Sequence, residues 1–259
     1  MPSALINHPD LWREVFPQPK ADDHKYRRGH TVILGSTDYT GATRLAAEAC
    51  SRIGSGLVTV LSADQSQLYR TTLPADIMVK SGTLSRIRQP SVLLAGPGGC
   101  DDAQASIVTD ASIDLTLVLD ADAIRLSPKV SARSVILTPH HGEFERHIGA
   151  GSNDPMADVC KAAQVRRQII VLKGPETLIA APDGRLSVNR TASPYLAKAG
   201  TGDVLSGLIA GLAAQGMPPF EAACAGVWLH GSAGQRIGAG LIPQDIIADV
   251  PALLRALTV

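Results

Sequence analysis

Five short apolar runs, each stopping at a glycine turn or a chemically active side chain, constrain this chain most. Residues 31–35 run into the loop Gly35-Ser36-Thr37-Asp38-Tyr39-Thr40-Gly41, and 91–95 into the turn Gly96-Pro97-Gly98-Gly99. Residues 115–119 end at Asp120, 135–137 lead through Thr138-Pro139 to His140, and 169–172 end at Lys173. The first run is followed by a small-residue helix over 42–52 and a β-rich run over 57–61. Strand, loop, helix, strand is a βαβ unit, which nearly always makes a right-handed parallel crossover. Strands in series on that plan put their carboxyl ends along one edge of a parallel sheet, where ligands bind.

The rest of the chain follows this plan. A short strand is expected over 76–80, and a hairpin over 177–181 and 186–189 around Pro182-Asp183-Gly184-Arg185. Helices alone follow, over 203–215, 219–237 and 243–257. Residues 1–23 form an irregular arm, with a helical piece near 11–15. Prolines at 9, 17 and 19 and the polar run 22–29 argue against a strand before residue 30. No linker, repeat or low-complexity tract interrupts the series, so 1–259 is one α/β domain.

Composition excludes several classes. Lys+Arg and Asp+Glu balance at 24 each, leaving no field to steer the chain to nucleic acid or an acidic membrane. No apolar run reaches membrane-spanning length, and the first residues lack the basic and apolar regions of a signal peptide. Cys50, Cys100, Cys160 and Cys224 are widely spaced, as free thiols in a reducing compartment. A cytoplasmic enzyme is expected.

The stretch 197–211, Ala-Lys-Ala-Gly-Thr-Gly-Asp-Val-Leu-Ser-Gly-Leu-Ile-Ala-Gly, joins a glycine turn to an apolar helix carrying Val204, Leu205, Leu208 and Ile209 at helical spacing. Gly200 and Gly202 let successive N–H groups converge at the positive end of that helix, an anion site. Asp203 adds negative charge there, which suits a base acting on a hydroxyl that attacks a phosphate. Taken alone, Thr201 or Asp203 reads equally as an N-cap. Asp120 and Asp122 could hold Mg²⁺ directly or through water, or Asp122 could cap a helix. Pro139 with Gly142-Glu143 reads as a helix start that leaves His140 or His141 free for a ligand. Lys173-Gly174 suits a nucleotide phosphate. No P-loop, dinucleotide fingerprint or hydrolase elbow occurs, and His230 reads as a satisfied core histidine.

From about His24 to the C-terminus the chain resembles the ATP- or ADP-dependent NAD(P)H-hydrate dehydratases of the ribokinase-like superfamily. The carriers are His24-Lys25-Tyr26, Gly35-Ser36 with Tyr39-Thr40-Gly41-Ala42, Gly54-Ser55-Gly56-Leu57-Val58-Thr59-Val60 and Gly96-Pro97-Gly98. They continue with Asp120-Ala121-Asp122-Ala123, Leu137-Thr138-Pro139-His140-His141-Gly142-Glu143-Phe144, Leu172-Lys173-Gly174 with Thr177, and Ala199-Gly200-Thr201-Gly202-Asp203-Val204-Leu205. Two segments depart from the family pattern: 189–195, and Gly99-Cys100 after Gly98.

The resemblance implies a three-layer α/β/α fold with a mostly parallel sheet, and repair of NADH and NADPH hydrated on the nicotinamide ring. The terminal phosphate of ADP or ATP, with Mg²⁺, would pass to the ring hydroxyl of the S epimer, and elimination of phosphate would restore the dinucleotide. Asp203 would be the base, staying ionised at its helix N-terminus, with the amides of Gly200, Thr201 and Gly202 as anion hole. Ala42, Gly98, His140 and Asp203 would touch the hydrated dinucleotide. Lys173, Gly174, Pro175, Glu176, Thr177 and Gly202 would touch the nucleotide, and Asp120 would meet the metal through water. A homo-oligomer working with a separate NAD(P)H-hydrate epimerase is implied as well. The alternatives are a ribokinase-like small-molecule kinase (acting on a sugar, hydroxymethylpyrimidine or thiazole alcohol) and a non-enzymatic nucleotide-binding module.

Overall fold

The computed structural model describes residues 4–111, 114–149 and 152–257. In chain order the strands are β1 (Leu5–Ile6), β2 (His30–Leu34), β3 (Leu57–Leu61), β4 (Met78–Lys80), β5 (Val92–Ala95), β6 (Thr116–Leu119), β7 (Ser134–Leu137), β8 (Ile169–Leu172), β9 (Thr177–Ala180) and β10 (Leu186–Asn189). The α-helices are α1 (Thr40–Arg52), α2 (Ser66–Thr72), α3 (Asp102–Thr109), α4 (His141–His147), α5 (Pro155–Arg166), α6 (Thr201–Ala214), α7 (Pro219–Ile237) and α8 (Pro243–Leu257).

The strands form one sheet in the order β1-β10-β9-β8-β7-β6-β5-β2-β3-β4. All neighbours from β8 to β4 pair parallel, and β9 is antiparallel to both β8 and β10. Strand side chains alternate between faces, and both faces are apolar here. Ile33, Val60, Leu94, Val118, Ile136 and Val171 point into a core closed by α1, α6, α7 and α8. Val32, Leu34, Leu93, Leu117, Leu137 and Leu172 point into a second core with Val108, Phe144, Val159 and Ala163 from α3, α4 and α5. The mostly parallel three-layer α/β/α architecture expected from the sequence is therefore the one observed.

Helix α6 lies across the middle of this sheet and packs tightly on α1. A Cβ at Gly207 would lie 2.4 Å from Ala46 O, and one at Gly211 would lie 2.3 Å from Ile53 Cγ2. The Cys50 thiol donates to Gly207 O at 3.0 Å. These glycines serve helix contact, and none of the described helices is long and apolar enough to cross a membrane.

Two expectations change. Residues 1–30 do contribute a strand: β1 pairs parallel with β10, and Asn7 N donates to Val188 O at 2.9 Å. The prolines that argued against it all follow those two residues. The Asn7 side chain locks the arm by donating to Asn189 Oδ1 (3.1 Å) and Cys224 O (2.8 Å). The helical piece near 11–15 is a pair of 3₁₀ turns, Pro9–Leu11 and Arg13–Val15. Trp12 is buried there, edge-on to Trp228 of α7 with centroids 5.8 Å apart. Residues 1–3 of the expected arm lie outside the described residues.

Candidate active site

The sheet order reverses between β2 and β5, so the connections leaving these two strands run in opposite directions and open a crevice at their carboxyl ends. Ser36 closes the floor of this crevice. Its hydroxyl donates to Gly98 O at 2.7 Å and accepts from Tyr39 N at 3.1 Å. Thr43 Oγ1 accepts from Ser36 N (3.0 Å) and donates to Pro97 O (3.2 Å), so the two glycine-bearing loops are held as one unit. Ala42 lies in the first turn of α1 beside them.

Asp120, His140 and Lys173 follow on the next three parallel strands. Asp120 is 3% exposed. Its Oδ1 accepts from Ala121 N and from Lys173 Nζ, both at 3.0 Å. Lys173 Nζ also stands 3.9 Å from Glu143 Oε2. Burial works against the Lys173 charge, but Asp120 first and Glu143 next override it, and the lysine's pKa is raised. The ammonium reaches toward α6: a Cβ at Gly202 would lie 3.6 Å from Lys173 Nζ.

His140 is not idle at the end of its strand. Its Nδ1 accepts from Gly142 N (3.1 Å) and Glu143 N (3.3 Å), so it caps α4. Backbone N–H groups can only donate, so a neutral His140 carries its proton on Nε2, 3.4 Å from Glu143 Oε1. Glu143 returns the bond by accepting from His140 N at 2.8 Å. The capping box is complete, and the exposed Nε2 edge has no main-chain partner.

The start of α6 is an open donor site. Gly200 is the N-cap, at φ +94°, and no side chain caps the first turn. A Cβ on Gly200 would press on Leu45 Cδ1 at 2.8 Å and Pro243 Cγ at 2.9 Å, so only glycine fits. This removes the reading of Thr201 or Asp203 as a cap. The Thr201 hydroxyl instead serves the carbonyls of Leu196 (2.7 Å) and Lys198 (2.8 Å). Thr201 N is engaged too, donating to Lys198 O at 3.3 Å. Of the amides expected to form an anion hole, Thr201 N is thus engaged within the turn, while Gly202 N and Asp203 N are first-turn donors that no side chain caps.

Asp203 departs further from expectation. The helix N-terminus alone would keep it ionised, but burial first and the nearby Asp120 second push its pKa up from the ordinary 3.8 to about 7. Lys173 pulls the other way without winning. A carboxyl poised near neutrality is the form suited to accepting and then returning a proton.

Two contributors are legible only in part from the sequence. Glu143 is placed at a helix start with Gly142, but its return bond to His140 N is not visible there. His230 reads as a satisfied core histidine, and it is one; the sequence does not show its partner. The histidine is buried in α7, and its Nε2 donates to Thr201 O at 2.9 Å, behind the glycine turn at the start of α6. Burial drives its pKa down to about 4, so it is neutral throughout the working range. His230→Leu would strand a buried carbonyl, costing about 1–3 kcal/mol. Thermal melting should drop and the KM for nucleotide should rise several-fold, with His230→Gln restoring most of both.

Gly174, Pro175 and Glu176 are exposed on the turn after β8, where Glu176 pairs with Arg190 at 2.8 Å. Thr177 is buried, and its hydroxyl meets Gly174 O at 3.4 Å. The unusual 189–195 segment is knitted to the fold rather than to the crevice: Asn189 Nδ2 donates to Thr191 Oγ1 at 3.0 Å, and Thr191 packs on Gly231 of α7.

Among the described residues no three His, Cys, Asp or Glu side chains are grouped to hold a metal ion. Asp122 does not cap the helical segment after β6; Asp120 does. With Asp120 Oδ1 occupied by Lys173, the residues fit a cation carried by nucleotide phosphates and met through water, not a protein-built cage.

The family model for NAD(P)H-hydrate dehydratase matches residues 30–248. An ADP-dependent (S)-NAD(P)H-hydrate dehydratase from Neisseria meningitidis is 36% identical, over 90% of this chain and 87% of that protein. A bifunctional NAD(P)H-hydrate repair enzyme from Moorella thermoacetica is 34% identical over 95% of this chain, but over 53% of its own length. The chain thus spans about half the length of the bifunctional relatives it matches. Among solved structures, the ADP/ATP-dependent NAD(P)H-hydrate dehydratase of Bacillus subtilis, co-crystallised with ATP and Mg²⁺, aligns with a TM-score of 0.87. It is 26% identical and covers 99% of this chain and 100% of that one. With its ribokinase-like architecture and these matches, the chain belongs to the NAD(P)H-hydrate dehydratase family.

Proposed function

We propose that the chain uses ADP or ATP to dehydrate the S epimer of hydrated NADH and NADPH, restoring the reduced dinucleotides. The observation that carries this reading is the meeting of Asp203, poised near pH 7, with Lys173 and the uncapped first turn of α6. A nucleotide's terminal phosphate would sit on the Gly202 and Asp203 amides, with Lys173 moving from Asp120 toward its charge. Asp203 removes the proton as the ring hydroxyl oxygen bonds to phosphorus and the bond to the departing nucleotide breaks. The phosphate then leaves carbon with its bonding electrons, and the neighbouring ring carbon loses a proton to form the double bond. Hydroxide is a poor leaving group and phosphate a good one, which is why the reaction needs a nucleotide.

Ala42, Gly98 and the Nε2 edge of His140 lie along the same crevice and would face the dinucleotide. Residues 173–177 and Gly202 would face the nucleotide. Mg²⁺ would arrive with the phosphates, contacting Asp120 through water and neutralising phosphate charge. An NAD(P)H-hydrate epimerase would supply the S epimer.

Incubating hydrated NADH with the protein and either nucleotide should bring back the absorbance of the reduced nicotinamide. No return with ADP or with ATP overturns the reading. A small-molecule kinase on this fold would instead accumulate a stable phosphorylated product.

A further inference from the structure

The edge of the sheet opposite the catalytic crevice carries a basin of about 580 Å³. It is walled by the segment entering β7, the end of α5, the β9–β10 turn and the first residues of α7. Arg133, Arg166, Arg167 and Arg185 line it, against the two carboxylates Asp183 and Glu221. Both carboxylates are consumed by one arginine. Arg185 pairs with Asp183 at 2.8 Å and with Glu221 at 2.5 Å, and stacks 4.4 Å over the Phe220 ring. The basin is therefore left with three arginines whose charge it does not balance, since none of the ion pairs among the described residues includes them.

Arg166 is already engaged elsewhere: its guanidinium donates to Ser127 Oγ (3.1 Å), His147 O (2.8 Å) and Ile148 O (2.9 Å), none of which lines the basin, and the two carbonyls end α4, where the helix dipole favours a cation. Exposed Arg133 and Arg167 are left on the basin rim without a carboxylate partner. Planar guanidinium groups suit the oxygens of a phosphate in particular. The volume is in the range of small-molecule sites and accommodates more than one phosphate group.

We infer that this basin binds a small polyvalent oxyanion of the phosphate-ester or polyphosphate class, at a site separate from the catalytic crevice. Arg133 and Arg167 on the rim hold the anion beside the last residues of α5 and the start of β8.

Tripolyphosphate titrated calorimetrically into the intact chain tests this. Two variants are compared with it. Arg133→Gln/Arg167→Gln alters exposed rim residues only, and Asp120→Asn/Lys173→Met removes the crevice ammonium together with its buried partner. The Asp120/Lys173 variant, whose crevice has lost its phosphate-binding ammonium, should retain binding that weakens at least tenfold when the two arginine substitutions are added to it, at unchanged melting temperature. No binding to the Asp120/Lys173 variant, or binding there that survives loss of both arginines, would overturn the inference.

Discussion

Asp203→Asn should lower turnover by about 10²–10⁴-fold, the usual contribution of a positioned general base, and should make the protein more stable. The two effects have one origin. Ionised Asp203 is buried beside Asp120, so the folded chain holds it near a pKa of about 7 against 3.8 ordinarily. Between those values the folded state binds more protons than the unfolded one, so stability falls as pH rises through this window. The full destabilisation is present above pH 7. It corresponds to on the order of 4 kcal/mol, at 1.36 kcal/mol per unit of pKa. Thermal melting at pH 8 should therefore rise in the variant, and the gain should shrink steadily as pH falls from 7 toward 4. Wild-type activity should have the opposite slope, falling below about pH 7 as Asp203 becomes protonated. An Asn variant that keeps activity, or whose stability gain over the wild type is no larger at pH 8 than at pH 4, contradicts the assignment of Asp203.

Lys173→Met should weaken both folding and nucleotide use. The side chain of Asp120 is 4% exposed, and its pairing with Lys173 Nζ is recorded at 3.0 Å. Removing the lysine leaves a buried carboxylate unpaired, which costs about 3–5 kcal/mol. It also removes a charge-assisted contact to phosphate of about 1.5–3 kcal/mol, or about 10–100-fold in nucleotide KM. The double variant Asp120→Asn/Lys173→Met separates these effects. Its stability should return to near the wild-type value, because no charge is stranded, while its nucleotide KM stays high. The acid limb of any residual activity in Lys173→Met should move to higher pH, because Lys173 is the cation that holds Asp203 down. Melting curves and steady-state kinetics across pH measure all three.

Much of the fold could be read from residues alone because buried parallel strands are nearly continuous apolar runs. Residues 31–35, 115–119 and 169–172 needed no partner to be recognised. The two-residue strand Leu5–Ile6 could not be read, because its support, the pairing with β10 and the Asn7 side-chain lock, comes from residues far along the chain. Helices α2, α3 and α5 also went unread, since short helices with mixed faces depend on tertiary contact more than on periodicity. At the site, sequence order along the sheet edge was enough to assemble Gly98, Asp120, His140, Lys173 and Asp203. It was not enough to set their ionisation. The helix-end argument for Asp203 is local, while its burial and its approach to Asp120 come from strands more than 80 residues away. The partner of His230 was hidden for the same reason: it is a carbonyl on another helix.

The pairing of β1 with β10 has a consequence for how the chain is made. Asn7 and Asn189 are 182 positions apart, so the arm emerges from the ribosome long before the strand it completes. Until then Leu5, Ile6 and Trp12 have no place to dock, because Trp228 lies later still. Closing that sheet border and seating Trp12 on α7 must be among the last steps of synthesis-coupled folding, and contacts this distant form slowly. A nascent chain halted before α7 should leave the arm open to proteases, and the arm should become resistant only once Trp228 has cleared the exit tunnel.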